Sequence, residues 1–433
     1  MRSILCFNAV RFSPISPPIS VRFYAMFVWH SLAKKDFLTL VQPWRCSLLK
    51  KFDDFSNTYC VTLINYSKIR SMLEKQFIGL DLFSGAGGMS LGAELAGISV
   101  KYAIEKNTYT AQTYQNNHSK TKVINSDVRE IKSIPDNLRK GSTVLFGGAP
   151  CQGFSTSNRR TNNRSNSDNW LYKEFVRILR LWKPDWLVFE NVTGIIKMES
   201  GVFFEEIVSD FKYLGYTCSH GILNAADFGV PQKRNRLFLI GSKHGETIDI
   251  TPTTNKMVFT VRDALSDLPC LENGANTDIL PYSQKADNGY AKAMRNTLTH
   301  CTGHLVTKNS EQVIKRYNYI RQGGNWESIP AELMQSYTDP TRCHTGIYHR
   351  LREDKPSVVI GNYRKNMLIH PWSNRGLSVR EAARLQSFPD DYIFTGSIGF
   401  QQQQVANAVP PLLAKKVFEL ITKRDTCCES GNK

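Results

Sequence analysis

From Phe77 onward, short apolar runs alternate with stretches whose apolar residues recur every three or four positions. FIGLDLF (77–83) has the unbroken apolar character of a buried strand, SGAGG (84–88) turns the chain, and MSLGAELAG (89–97) follows as a helix with Gly97 as C-cap. The pattern then repeats. VKYAIE (100–105), KVINSD (122–127), TVLFGG (143–148) and DWLVFENV (185–192) read as strands, and Thr108–Asn116, 170–182 and 203–215 as amphipathic helices. Pro184 stops the second of these helices and Gly215 the third, before the strands YTCSHGILN and RLFLIG. Alternation of this kind predicts an α/β fold: a mostly parallel, Rossmann-like sheet with helices on both faces. Regularity fails near His244, and residues 245–375 are rich in turns and polar side chains, a composition shift that predicts a smaller, irregular second domain. LSVREAARLQSFP (377–389) reads as a helix closed by Pro389. NAVPPLLAKKVFELI (407–421) reads as one long amphipathic helix that returns to the first domain.

Charge narrows the class of partner. The 433 residues carry a formal net charge of +17, which predicts a polyanion, most simply nucleic acid. No apolar run approaches the roughly 18 residues of a membrane span, so no membrane role is expected. The ten Cys show no metal-ligand spacing; Cys301 with His304 and Cys343 with His344 are isolated pairs, so no metal is expected and a reducing cytoplasm fits best. Residues 1–71 stand apart as an N-terminal extension. Ten Lys and Arg face three acids there (Asp36, Asp53 and Asp54), and no sustained period is present. The lack of acids before Asp36 suggests an organellar transit peptide, but Pro14, Pro17 and Pro18 would interrupt its helix. Met72, just ahead of the first convincing strand, is the expected true start.

Candidate chemistry gathers at strand ends, where open α/β sheets bind ligands. GGAPCQGFS (147–155) places Cys151 after a proline, on a stiff turn that would fix a nucleophile; a Cys filling a small core gap is the plain alternative. The glycines at 85, 87, 88 and 92 depart from the dinucleotide fingerprint, yet they open a helix against which a ligand could sit. Glu105 and Asp127 end the next two strands, where acids take ribose hydroxyls and a base edge; each alone could equally be a solvated loop residue. Glu190, flanked by apolar side chains in FENV (189–192), should have a raised pKa and could donate a proton, or could serve only as a cap. In QKRNR (232–236), Gln232, Arg234 and Arg236 alternate along an extended segment and would point together, unless this is a solvated basic loop. The polar segment 156–169 carries Arg159, Arg160 and Arg164, either a lid over phosphates or an ordinary surface loop.

In this order and spacing, DLFSGAGG, GGAPCQGFS, ENV, QKRNR, REAARLQSFPD and NAVPP resemble the DNA (cytosine-5) methyltransferases, over Phe77 to about Ile421. The resemblance implies S-adenosyl-L-methionine as cofactor. Phe83 would stack on its adenine, Gly85, Gly87 and Gly88 wrap its amino-acid part, Glu105 bind the ribose, and Asp127 with Val128 the adenine; Pro150 and Asn407 join the same pocket. Cys151 would attack C6 of a flipped-out cytosine, Glu190 engage N3 and the exocyclic amine, and Arg236 hold O2, with Arg234 near the Cys and the backbone. The domains implied are a catalytic and cofactor-binding part (72–244), a target-recognition part (245–375), final motifs (376–425) and a tail (426–433). Recognition candidates are Arg316, Arg321, Arg342, Arg350, Arg352 and several Tyr.

The short recognition region implies a prokaryotic stand-alone enzyme of the restriction-modification type, a monomer acting on double-stranded DNA beside a cognate endonuclease. A tRNA cytosine-5 methyltransferase on the same scaffold and a non-catalytic DNA-binding protein are the alternatives; the glycine spacing puts a nicotinamide dehydrogenase third. One departure stands out: Ala406 precedes Asn-Ala-Val-Pro where the family usually has Gly, at a cost of order 1 kcal/mol if that backbone needs a positive φ. Intact mass of the protein from its native source is expected to match a chain beginning at Met72; a mature chain beginning at Met1 overturns that start.

Overall fold

The strands of the alternating region form one seven-stranded sheet in a computed structural model, which describes residues 76–139, 141–150, 170–251, 258–337, 346–365 and 367–423. The N-terminal extension, Met72, Cys151, the 156–169 loop, Arg342, Cys343 and His344 lie outside the described residues. The strands are β1 (Phe77–Leu82), β2 (Ile98–Glu105), β3 (Lys122–Asn125), β4 (Ser142–Gly147), β5 (Trp186–Asn191), β6 (Thr217–Asn224) and β7 (Asn235–Ser242). Their spatial order is β3-β2-β1-β4-β5-β7-β6. The first five are mutually parallel, while β7 runs antiparallel to both neighbours. Residues 225–234 are too few for a crossover, so the chain leaving β6 turns straight back into β7.

Helices cover both faces. Every residue of β1, β4 and β5 is buried, as central strands require. In β5, Leu187 and Phe189 pack toward α3 (Leu171–Trp182) and α4 (Val202–Tyr213), after α1 (Gly88–Leu95) and α2 (Thr108–Asn117) in chain order. Trp186 and Val188, alternating with them, face the opposite core with Met89 and Ala93 of α1. Each fully buried Leu or Phe contributes on the order of 1.5–3 kcal/mol, so two filled faces carry the domain.

The second part of the chain adds short elements: α5 (Val261–Leu265), β8 (Leu280–Pro281), α6 (Gly289–Arg295), β9 (His300–Cys301) and α7 (Glu311–Tyr317). The helix predicted over 377–389 is shorter. It is α8 (Val379–Leu385), opened by a capping box between Ser378 and Glu381 and ended where Ser387 takes φ 63. All seven of its residues are buried, charged ones included. Arg384 clamps Asp267 (2.8 Å) and Asp390 (2.6 Å), Arg375 grips both oxygens of Glu381, and Arg380 donates to the carbonyls of Thr302, Pro389 and Tyr392. Burial alone would raise the Glu381 carboxyl; the Arg375 charge overrides it and holds the group at about 2. The motif arginines therefore bind protein segments to one another, and buried pairs of this kind are costly to half-remove.

The long final helix predicted over 407–421 starts four residues later, as α10 (Pro411–Thr422), because Pro411 suits a first turn and Pro410 lies outside it; a separate helix that the pattern did not reveal, α9 (Ile398–Asn407), precedes it. The glutamines of α9 hide its burial in the sequence. Gln401, Gln402 and Gln404 are buried, and their amides reach Gly396, Thr307 and Thr395. Through Leu413, Val417, Phe418 and Ile421, α10 packs with α1 on the sheet.

Ala406 lies inside α9 and is not among the positive-φ residues, so the condition for strain is not met. Ala is the better helix former there. Ala406→Gly is expected to lower stability by about 1 kcal/mol, read from the urea midpoint; a variant more stable than the wild type would overturn this.

Candidate active site

Parallel register builds the site. Ile104, Leu82, Gly147 and Phe189 pair in one row across β2, β1, β4 and β5. One residue beyond that row stand Glu105, Phe83, Gly148 and Glu190. Four strand ends thus deliver their chemistry to one edge of the sheet.

On the β1–β2 side the backbone turns tightly. Phe83 (φ 56), Gly85 (φ 54) and Gly87 (φ 90) all take left-handed conformations, and Gly87 caps α1 without a side-chain hydrogen bond. A Cβ on Gly88 would come within 2.3 Å of the Val409 carbonyl oxygen, so glycine is required for α1 to lie this close to the chain entering α10. Glu105 faces the turn: its Oε2 accepts from Gly85 N–H (2.9 Å) and its Oε1 from Asn107 N–H (2.7 Å). Burial raises its carboxyl above the ordinary value against these hydrogen bonds. Ser84 contributes a buried hydroxyl without a hydrogen-bond partner. A backbone cradle, an edge carboxylate and a spare hydroxyl fit a ligand with polar hydroxyl and amino-acid groups, the chemistry of S-adenosylmethionine.

Asp127, after β3, is engaged differently from the expectation. Its carboxylate caps the short turn at Val128, chelates Arg129 (2.9 and 2.6 Å) and pairs with Lys106 (3.0 Å). Those hydrogen bonds, Arg129 foremost, hold it well below the usual carboxylate range. Val128 is buried beside it. Asn407 ends α9 as an exposed residue accepting from Gln403, two residues before Val409, whose carbonyl abuts Gly88 of the turn.

On the β4–β5 side, Glu190 is buried, and burial raises its carboxyl in spite of the positive charge nearby. Arg236 of β7 supplies that charge, its Nε 3.0 Å from Glu190 Oε1. Gly148 leaves room for the pair, since a Cβ there would sit 2.5 Å from Glu190 Oε2. Asn191, whose part the sequence did not reveal, donates to the carbonyl of Ala149 (3.1 Å) and so fixes the chain entering Pro150. Cys151 follows directly on that proline.

Gln232 and Arg234 do point together, but into the protein. Gln232 bonds Leu385, Gln386 and Ile360, while Arg234 donates to the carbonyls of Ile360 (3.1 Å) and Ala406 (3.0 Å). Arg236 alone turns to Glu190. Arg234 is therefore a buried tie between segments, its guanidinium used up on backbone oxygens except for an unpartnered Nε. Two recognition candidates are corrected in the same way. Arg316 spans Leu333, Ser336 and Tyr348, and Arg350 spans Ile320, Tyr317 and His370; both are buried and hold the fold. Arg321 and Arg352 remain exposed, with Arg352 beside Asp354. Cys301 and His304 meet at 3.2 Å, yet burial pushes the thiol to about 11 and the imidazole to about 4, a neutral pair rather than an activated nucleophile. Among the described residues no group of three or more His, Cys, Asp or Glu could hold a metal.

Residues 77–423 match the model of the C-5 cytosine-specific DNA methylases. The chain belongs to that family. It is 37% identical over 354 residues to the Type II methyltransferase M1.HphI of Haemophilus parahaemolyticus, covering 80% of this chain and 87% of the relative. It is 34% identical over 369 residues to M.DdeI of Desulfomicrobium norvegicum, covering 79% and 88%. A solved Escherichia coli structure, described as a candidate DNA modification methyltransferase encoded within a prophage, aligns with a TM-score of 0.63 at 25% identity, over 81% of this chain and 99% of that one. The mostly parallel sheet is thus the methyltransferase fold, and no described helix is long and apolar enough to cross a membrane.

Gly148→Ala is expected to push the Glu190 carboxylate aside and lower methyl transfer by about a hundredfold, the scale of an ångström-sized misplacement. Equilibrium cofactor binding should stay within about twofold, because the turn at Gly85–Gly88 is untouched. Activity within a few-fold of wild type would show that the Gly148–Glu190 contact is unimportant.

Proposed function

We propose that this family member transfers a methyl group from S-adenosylmethionine to C5 of cytosine in a specific sequence of double-stranded DNA, as the modification half of a Type II restriction-modification pair. The buried Glu190–Arg236 pair, one strand away from Gly148, with Cys151 three residues further along the sequence, is the observation that carries this reading. The Type II relatives support the biological setting.

The reaction needs C5 made nucleophilic. The Cys151 thiolate adds to C6, and the ring electrons move toward C5 as the enamine forms. A free thiol is mostly protonated at neutral pH, and a cationic side chain brought near it would favour the reactive form. Glu190, its carboxyl raised by burial, holds a proton at N3 and accepts from the exocyclic amine, stabilising the charge that builds as the thiolate adds. Arg236, which sits against Glu190, would hold the cytosine O2. Bound S-adenosylmethionine supplies the methyl group as an electrophile on a sulfonium; Phe83, Gly85, Gly87, Gly88 and Glu105, with Asp127, Val128, Pro150 and Asn407, would hold it. After transfer, loss of the C5 proton returns the electron pair and expels the Cys151 thiolate. None of these atoms is reachable inside a stacked duplex, so the base must leave the helix.

With methyl-labelled S-adenosylmethionine and a mixed-sequence duplex, label is expected in DNA as 5-methylcytosine. Cys151→Ser should reduce it by at least about a thousandfold, as loss of a nucleophile does, while cofactor binding persists. Label in tRNA alone, or undiminished methylation by the variant, overturns the assignment.

A further inference from the structure

Three segments meet against the glycine turn. His118 caps the C-terminus of α2, Glu94 belongs to α1, and Tyr392 follows α8. His118 Nε2 lies 3.0 Å from the Tyr392 hydroxyl and Nδ1 lies 3.0 Å from Glu94 Oε2. The Tyr392 hydroxyl donates to the carbonyl of Ala86, in the middle of the turn. A Cβ on Gly87 would come within 2.4 Å of His118 Nε2 and 2.7 Å of the Tyr392 oxygen, so both side chains abut the backbone of the turn itself. His118 and Tyr392 are almost fully buried, and Tyr114 packs its ring against His118 at 4.3 Å.

We propose that His118 and Tyr392 are positioning residues that fix the Gly85–Gly88 turn and thereby set the affinity for S-adenosylmethionine, a role that rests on reading this turn as the cofactor site. Hydrogen-bond accounting gives the direction of the chain. A phenol has one proton, and Tyr392 gives it to Ala86, so His118 Nε2 must be the donor to Tyr392. Glu94 Oε2 faces the other nitrogen, and a carboxylate only accepts, so both ring nitrogens donate and the imidazole is held in its doubly protonated form between Tyr392 and Glu94. Removing the phenol oxygen leaves a carbonyl and an N–H buried without partners, and the turn relieves this only by moving. Nothing in the relay touches the Glu190–Arg236 side, so its loss should fall on cofactor binding.

Calorimetric titration with S-adenosylmethionine, without DNA, tests this. Tyr392→Phe is expected to weaken the Kd by about tenfold, the scale of a lost buried hydrogen bond. The KM for DNA and kcat at saturating cofactor should stay within about twofold. His118→Gln keeps an N–H donor in reach of Tyr392 and should bind within about threefold of wild type, whereas His118→Phe should match Tyr392→Phe. The His118 pair decides the matter if Tyr392→Phe does not fold. Wild-type affinity in Tyr392→Phe, equal weakening by His118→Gln and His118→Phe, or parallel losses for cofactor and DNA overturn the relay alone. A wild-type protein that binds no S-adenosylmethionine overturns the cofactor reading itself.

Discussion

Parallel pairing of β1, β2, β4 and β5 is the constraint on which the site depends. With Leu82 opposite both Ile104 and Gly147, and Gly147 opposite Phe189, the next residue of every strand reaches the same edge. Side chains alternate faces along a strand, so a slip of one residue would exchange that strand's side chains between the two cores. The two packed cores forbid that slip. The same packing that stabilises the sheet therefore fixes where the Gly-rich turn, Glu105, Gly148 and Glu190 stand relative to one another.

Buried charge plays the second organising part. Arg234, Arg316, Arg350, Arg375, Arg380 and Arg384 are all nearly inaccessible, and each spans segments far apart in the chain. Guanidinium suits this because its planar fork satisfies several carbonyls or a whole carboxylate at once. Such groups cost desolvation and add little net stability, but they penalise any arrangement that leaves them unpaired. The irregular second part of the chain, poor in repeating elements, obtains its order from these ties. Arg384 joins α8 to Asp267 and Asp390, and Arg234 joins the approach to β7 to Ile360 and Ala406.

The candidate site was legible where chemistry is local. Glu190 announced itself as a carboxyl among apolar neighbours, and burial does raise it. The turn of DLFSGAGG was readable because glycine suits the left-handed backbone taken at Gly85 and Gly87. Arg234 and Arg236 could not be told apart by spacing, since both belong to the same extended run; only contacts with Ile360, Ala406 and Glu190 separate them. Arg316 and Arg350 looked like DNA contacts because an exposed and a buried arginine are identical in sequence. His118 and Tyr392 gave no signal at all, being a lone histidine and a lone tyrosine separated by 274 positions.

Local rules were enough to set the alternation of elements, the strand ends and the glycine turns, because burial pattern, turn geometry and proline act within a few residues. The family likeness was written at that level too, in short motifs of fixed order. Tertiary structure alone decided which charges face outward and what packs against the Gly85–Gly88 turn. Those outcomes depend on contacts between residues distant in sequence, as many as 306 positions apart, and such contacts form only when the whole chain has found its packing.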